Sequence, residues 1–252
     1  LVGVDGELYF NRGYALLYAG KYSNAVKDMV QAGKNGFRNA RVYYYIGVAK
    51  FQQEDYKTSI KAFNNAIKMD NEYAYAYNDR GSAKRKLEQY EEALKDYDKA
   101  IAINDKFAVA YNNRGSLKRI MERYEDAVAD YTLAINIKPD YYLAYNNRGS
   151  ARYQLKQFEK ALQDFNKTIE LKPDYYQAYN NKGTALYKLK RYEEAIEAYS
   201  KAISMKSDYA YAYYNRANSR EMLKNFDGAV KDWKKAAQLG LESAMQHAKE
   251  YQ

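Results

Sequence analysis

The hexapeptide YNNRGS stands at Tyr111–Ser116 and again at Tyr145–Ser150, 34 residues apart. That interval is a property of the whole chain. Aligned on it, the sequence divides into seven in-phase copies: 6–39, 40–73, 74–107, 108–141, 142–175, 176–209 and 210–243. Position 4 is Tyr in every copy, from Tyr9 to Tyr213. Position 8 is Gly in six copies and Ala217 in the last. Position 17 is always Tyr or Phe, and position 24 is always bulky: Met29, Phe63, Tyr97, Tyr131, Phe165, Tyr199, Trp233. Position 20 is Ala except for Ser59, and position 27 is Ala except for Thr168. The only two prolines, Pro139 and Pro173, both fall at position 32. A chain repeating at this period buries its apolar surface between neighbouring copies, because one copy cannot form a core alone.

Within a copy, positions 4, 8 and 11 share one helical face, and so do 20, 24, 27 and 28. A short polar turn such as Leu87–Tyr90 separates them. Each copy therefore reads as two helices, A and B. Small residues at 8, 20 and 27 let helix axes approach while the aromatics fill the gaps. The aromatic stripe is thus packing, not a cofactor box.

This pattern resembles the tetratricopeptide repeat, with its 34-residue period, aromatic at 4, small residues at 8, 20 and 27, and Pro at 32. The resemblance covers residues 6–243. It implies an all-α fold: a right-handed α–α superhelix of seven helix–turn–helix repeats, with the A helices lining its concave side. A short C-terminal helix over 244–252 is expected to solvate the end of the array, and residues 1–252 are expected to form one solenoid domain. The first copy departs in its second helix, with Gly33 and Gly36 at positions 28 and 31, as at an array end or a bend.

Two further departures carry information. The family usually has an aliphatic residue at 7 and a large one at 11. Here position 7 reads Arg12, Ile46, Arg80, Arg114, Arg148, Lys182, Arg216, and position 11 is mostly Lys or Arg. Position 23 reads Asp28, Ala62, Asp96, Asp130, Asp164, Ala198, Asp232. Asp is present wherever position 7 is Arg, and Ala wherever it is not. An Arg beside a packed face is costly unless paired, and its planar fork suits a carboxylate. The expectation is an Arg–Asp bridge from helix A to helix B, so a double-mutant cycle on Arg114 and Asp130 should show coupling of about 1 kcal/mol or more. The alternative, arginines gripping an anionic ligand, is disfavoured because the Asp already occupies them.

The paired asparagines are the second departure. Position 6 carries Asn113, Asn147, Asn181 and Asn215, about 200° around the helix from the packed face. Position 5 carries Asn78, Asn112, Asn146 and Asn180. An amide offers a donor and an acceptor together, so a ladder of amides suits the backbone of an extended peptide whatever its side chains. The competing reading is that these amides are solvated, or bond one another between neighbouring helices. Varied groove positions, Tyr75 at 2 and Arg85, Arg119, Tyr153 and Tyr187 at 12, are of the types favoured at binding hot spots. The family's carboxylate clamp for acidic C-termini is not expected. It needs basic residues at positions 5 and 6, and neither position has one in any copy.

Other classes are narrowed by composition. The net charge is +9, but residues 1–39, 142–175, 176–209 and 210–252 carry +2 each, 40–73 carry +1, and 74–107 and 108–141 carry 0, so no basic patch dominates and nucleic-acid binding is disfavoured. Lys84–Lys86 and Lys118-Arg119 are among the basic runs that would serve that reading. There is no cysteine, which removes disulfides, thiolate metal sites and a cysteine nucleophile. The single histidine, His247, lies in the tail, where a fraying helix is expected, and no glycine-rich phosphate loop occurs. No enzyme, cofactor or metal site is expected. No apolar run is long enough to span a membrane. The chain begins at Leu1 without a signal peptide, as a fragment or processed form would, so a cytoplasmic location and an exported or periplasmic one both stand. The expected function is a scaffold that binds a protein or extended peptide in the groove. A self-associating homo-oligomeric array is the alternative.

Overall fold

A computed structural model describes residues 5–250, and the described residues form fifteen helices and no strand. The helices are α1 (Gly6–Tyr18), α2 (Tyr22–Lys34), α3 (Ala40–Gln52), α4 (Tyr56–Met69), α5 (Ala74–Lys86), α6 (Tyr90–Ile103), α7 (Ala108–Ile120), α8 (Tyr124–Ile137), α9 (Tyr142–Gln154), α10 (Phe158–Leu171), α11 (Tyr176–Lys188), α12 (Tyr192–Met205), α13 (Ala210–Met222), α14 (Phe226–Gln238) and α15 (Ser243–Glu250). Odd-numbered helices up to α13 are the A helices of the seven copies, and even-numbered ones are the B helices. The chain divides into two compact units, one ending at Leu117 and one starting at Lys118. In the first, α1 to α5 each pack against the next, and the A helices α1, α3 and α5 also touch in series. In the second, the same holds from α8 onward, with α9, α11 and α13 in series and α15 packed on α14.

The core follows from the repeat's alternation of small and large residues. Position 24 is buried throughout, with Phe63, Tyr97, Tyr131 and Trp233 fully so. Four of these aromatics lie across the glycine at position 8 of their own copy: Phe63 on Gly47, Tyr97 on Gly81, Phe165 on Gly149 and Tyr199 on Gly183. A Cβ on Gly47 would stand 2.5 Å from the Phe63 ring, and one on Gly183 would stand 2.6 Å from Tyr199. The exceptions at the small positions satisfy themselves. Ser59 Oγ donates to the Gly47 carbonyl at 2.8 Å, and Thr168 Oγ1 donates to the Asp164 carbonyl at 2.9 Å.

Every A–B turn ends its first helix in the same way. Position 15 is left-handed: Gly20 at φ 73°, then Glu54, Glu88, Glu122, Lys156, Lys190 and Lys224 at φ between 59° and 61°. In the third copy Glu88 N–H donates to the Arg85 carbonyl at 3.1 Å, and Gln89 N–H donates to the Lys84 carbonyl at 3.0 Å. These are the two bonds that satisfy a helix's last carbonyls when the next residue turns left-handed.

The C-terminal tail differs from the expected solvating helix. Ala244 and Ala248 are fully buried against Trp233. The His247 ring lies 5.6 Å from that of Trp233 and 5.5 Å from that of Tyr214. α15 is a half-repeat that covers the last B helix. Residues 251 and 252 of the expected tail lie outside the described residues.

Candidate functional site

The position-7 arginines are occupied. Arg80 meets Asp96 with Nε at 2.9 Å and Nη2 at 2.6 Å, and Arg216 meets Asp232 at 2.7 and 2.8 Å. Arg148 and Asp164 pair in the same way, as do Arg12 and Asp28. Arg114 and Asp130 fall in different units. Within its own unit Arg114 pairs with Asp98 at 2.7 Å, and Asp130 with Lys118 at 2.8 Å.

Three of the bridges, on Asp96, Asp164 and Asp232, are larger than the sequence comparison suggested. The basic residue at position 11 grips the same carboxylate: Lys84 on Asp96, Arg152 on Asp164 and Arg220 on Asp232. The guanidinium also stacks on the Tyr at position 4, at 5.2–5.5 Å from Tyr77, Tyr111, Tyr145 and Tyr213. Its remaining nitrogen reaches back to position 25 of the preceding copy: Arg80 to Asn64, Arg148 to Thr132, Arg216 to Ser200. The arginine therefore ties its own two helices together and ties its copy to the one before. Burial lowers the pKa of Arg152 and Arg220, opposed by the adjacent Asp. The basic runs Lys84–Lys86 and Lys118-Arg119 are thus partly spent inside the stack.

The asparagines form rungs between copies. Asn78, Asn112, Asn146 and Asn180 are buried, at 3% to 7% exposure, and are not open to the surface of the A helices. Asn113 Nδ2 donates to Asn78 Oδ1 at 3.0 Å, Asn181 to Asn146 at 2.9 Å and Asn215 to Asn180 at 3.2 Å. Position 5 of one copy thus pairs with position 6 of the next. The Asn112 carbonyl accepts Ser116 Oγ at 2.9 Å, and Asn147 is half-buried.

Where the pair is not Asn–Asn, both members change together. Tyr44 Oη donates to Asp79 Oδ2 at 2.7 Å, and Phe10 packs on Tyr45 at 5.9 Å. Asp79 also accepts from Asn78 Nδ2 at 2.8 Å. Burial raises the Asp79 carboxyl above its usual range against these two hydrogen bonds, and burial likewise raises the Tyr44 hydroxyl.

What remains open on the A helices is a recurring cleft. In the first unit, Val48, Phe51, Gln52, Asp79, Ser82 and Arg85, floored by Phe63, enclose about 190 Å³. In the second, Arg119, Ser150, Tyr153, Gln154, Asn181 and Thr184, floored by Phe165, enclose about 250 Å³. Six repeat positions line both: 9, 12, 13 and 24 of one copy, and 6 and 9 of the next; Arg85 enters from position 12 of the later copy, and Arg119 from position 12 of the copy before.

Arg85, Arg119, Tyr153 and Asn181 were legible in the sequence as groove residues and stand in these clefts. Tyr187, on Tyr192 at 5.4 Å, and Asn215 are half-buried, and Tyr75 is exposed and packs on Phe107 at 4.8 Å; none of the three lines either cleft. Gln52 and Gln154 were missed. Position 13 lies one helical turn beyond position 9, and that spacing was the available signal. Position 9 is also a partner of the core. Ser82 shares a hydrogen bond with Tyr97 Oη at 3.1 Å, Thr184 accepts from Tyr199 Oη at 3.3 Å, and Asn218 accepts from Trp233 Nε1 at 2.9 Å.

The position-12 arginines differ from those at position 7. Neither Arg85 nor Arg119 pairs with a carboxylate among the described residues, and the Arg119 Nε–H, turned from solvent, has no acceptor.

The tetratricopeptide repeat pattern matches residues 10–74, 112–176, 146–210 and 180–244, and a second form of it matches 74–107. The chain belongs to the tetratricopeptide repeat family. Members of this family are generally non-catalytic scaffolds for protein–protein interaction. Among solved structures, the chain resembles YrrB, described as a TPR protein with an unusual peptide-binding site, at 23% identity over 76% of this chain and 99% of that one, TM-score 0.63. It resembles a tetratricopeptide repeat protein of Parabacteroides merdae at 18% identity over 98% of both chains, TM-score 0.72. It resembles Pseudomonas aeruginosa pilF at 20% identity over 84% of this chain and 97% of that one, TM-score 0.74. These likenesses establish the fold. No match is found among curated proteins. No helix among the described residues is long and apolar enough to cross a membrane.

Proposed function

We propose that this tetratricopeptide array is a non-enzymatic scaffold that binds an extended peptide segment along its A helices, seated in the recurring clefts. The observation that carries this reading is the pair of unpaired arginines, Arg85 and Arg119. Each stands in a cleft beside an aromatic side chain (Phe51 or Tyr153) and a glutamine amide (Gln52 or Gln154). A guanidinium without a carboxylate offers donors to a peptide carbonyl or an acidic side chain. The neighbouring ring supplies apolar contact at a low entropic cost, and the glutamine supplies a donor and an acceptor for a peptide unit. A cleft built on the same repeat positions in each unit suits a chain that repeats its backbone but not its side chains. Of the eight paired asparagines, Asn181 at position 6 stands at a cleft edge and is left to a guest, and the buried position-5 members serve the stack.

The test is selection from a random peptide library displayed on phage, followed by binding of the selected peptides to Arg119→Ala/Tyr153→Ala. Loss of affinity of tenfold or more, about 1.4 kcal/mol, is expected. Equal binding by the double variant, with Asn181→Ala also without effect, removes the clefts from the function.

The YrrB likeness, to a protein described as peptide-binding, agrees with this reading.

A further inference from the structure

The junction of the first two copies lacks the arginine bridge, as does that of the fifth and sixth, where Lys182 and Ala198 stand. Ile46 stands where five copies have Arg, Ala62 where five have Asp, and Val30 where the later junctions carry Asn64, Asp98, Thr132, Asn166 and Ser200. Position 28 is Gly33 in the first copy, against Ile67, Ile101, Ile135, Ile169 and Ile203 in the next five. Nothing lies within 4 Å of where a Gly33 side chain would begin. Val30, Gly33 and Ile46 coincide in space. They open a cleft of about 540 Å³ between α2, α3 and α4, floored by Met29, Phe37, Val42 and Ile46. It shares no residue with the A-helix cleft of the same unit.

Its rim is apolar and basic. Val30 is 42% exposed, Tyr43 37% and Met69 47%. Lys34 and Arg38 complete the lining, no lining residue is acidic, and neither cation pairs with a carboxylate among the described residues. At three later junctions the position-7 arginine is held both by its Asp and by a polar side chain of the preceding copy, Asn64, Thr132 or Ser200. Here an apolar floor and two free cations face outward together.

We propose that this cleft is a second docking surface, separate from the A-helix clefts, and that its occupant is an amphipathic helical segment with apolar side chains on one face and Asp or Glu beside them. The apolar side chains fill the space left by Gly33, and the carboxylates meet Lys34 and Arg38. Charge complementarity of this kind selects acidic over basic partners more strongly than it adds affinity.

The test uses fluorescence anisotropy with a labelled amphipathic helix of about 15 residues, Leu on one face and Glu on the other, and its counterpart with Lys for Glu. The Glu helix binds the native protein and the Lys helix binds at least tenfold more weakly. Gly33→Ile restores the side chain used by the next five copies, fills the cleft, and lowers affinity for the Glu helix at least tenfold. Lys34→Glu/Arg38→Glu reverses the preference between the two helices. Arg119→Ala leaves binding unchanged. Circular dichroism and the melting temperature confirm that each variant is folded. Three results overturn the proposal: no binding of the Glu helix at millimolar concentration, equal binding by folded Gly33→Ile, or equal binding of the two helices. A fourth is a doubled mass in light scattering that Gly33→Ile abolishes, which assigns the cleft to a second copy of this chain.

Discussion

The paired side chains explain most departures from the family pattern. An Asn at position 5 makes sense only beside the Asn at position 6 of the next copy, where one amide's donor meets the other's acceptor in a buried place. Tyr44 is a donor there, so its partner at the next position 6 is the acceptor Asp79. Burial raises the Asp79 carboxyl above its usual 3.8. The folded state therefore favours the protonated acid. The penalty is absent below the ordinary carboxylate range and grows as pH rises through it. Asp79→Asn, which matches Asn113 and Asn181, is expected to raise the melting temperature at neutral pH. The gain should shrink toward pH 4, which thermal melts across that range would read. At position 23, Asp164 holds both Arg148 and Arg152. Asp164→Ala leaves two cations without their shared carboxylate and should cost roughly 2–3 kcal/mol. A chemical-denaturation cycle with Arg148→Ala should give a coupling of about 1 kcal/mol or more; additivity would mean that the bridge is not what stabilises the hairpin.

Element ends and element contacts show a different economy. Six of the A–B turns place Glu or Lys in the left-handed region, where only Gly20 is free of steric conflict. Replacing Lys156 (φ 59°) with Gly should raise stability by roughly 0.5–1 kcal/mol in urea titration, because relief of the left-handed strain exceeds the added unfolded-state entropy. The opposite change at a packing glycine should be severe. A Cβ on Gly149 would meet the Phe165 ring at 2.7 Å. That ring is buried between helices and has little room to move, so Gly149→Ala should lose roughly 1–3 kcal/mol in the same titration.

At the scale of the whole molecule, an array of copies is stable only if its last apolar face is covered. α15 does this by burying Ala244 and Ala248 on Trp233, the only tryptophan in the chain. Ending the chain after Leu241 should move the tryptophan emission to the red and destabilise the protein by roughly 2 kcal/mol or more. An unchanged emission spectrum would show that the tail does not cap the stack.

The 34-residue period determined the helix pairs, their small-and-large packing and the buried aromatics. Those features depend on side-chain size and helical period, which are written in every copy. The bridge from position 7 to position 23 was legible for the same reason, since seven copies could be compared and the change at one position tracked the change at the other. The tertiary structure alone decided what lies between copies. The reach of Arg80 to Asn64, the burial of Asn78 and Asn146 and the cleft beside Gly33 all depend on which residues of successive copies come to face each other. The asparagines show the physical reason most directly. Their chemistry suits a bound peptide and a neighbouring amide equally, and only the packing of one helix on the next determines which of the two each side chain meets.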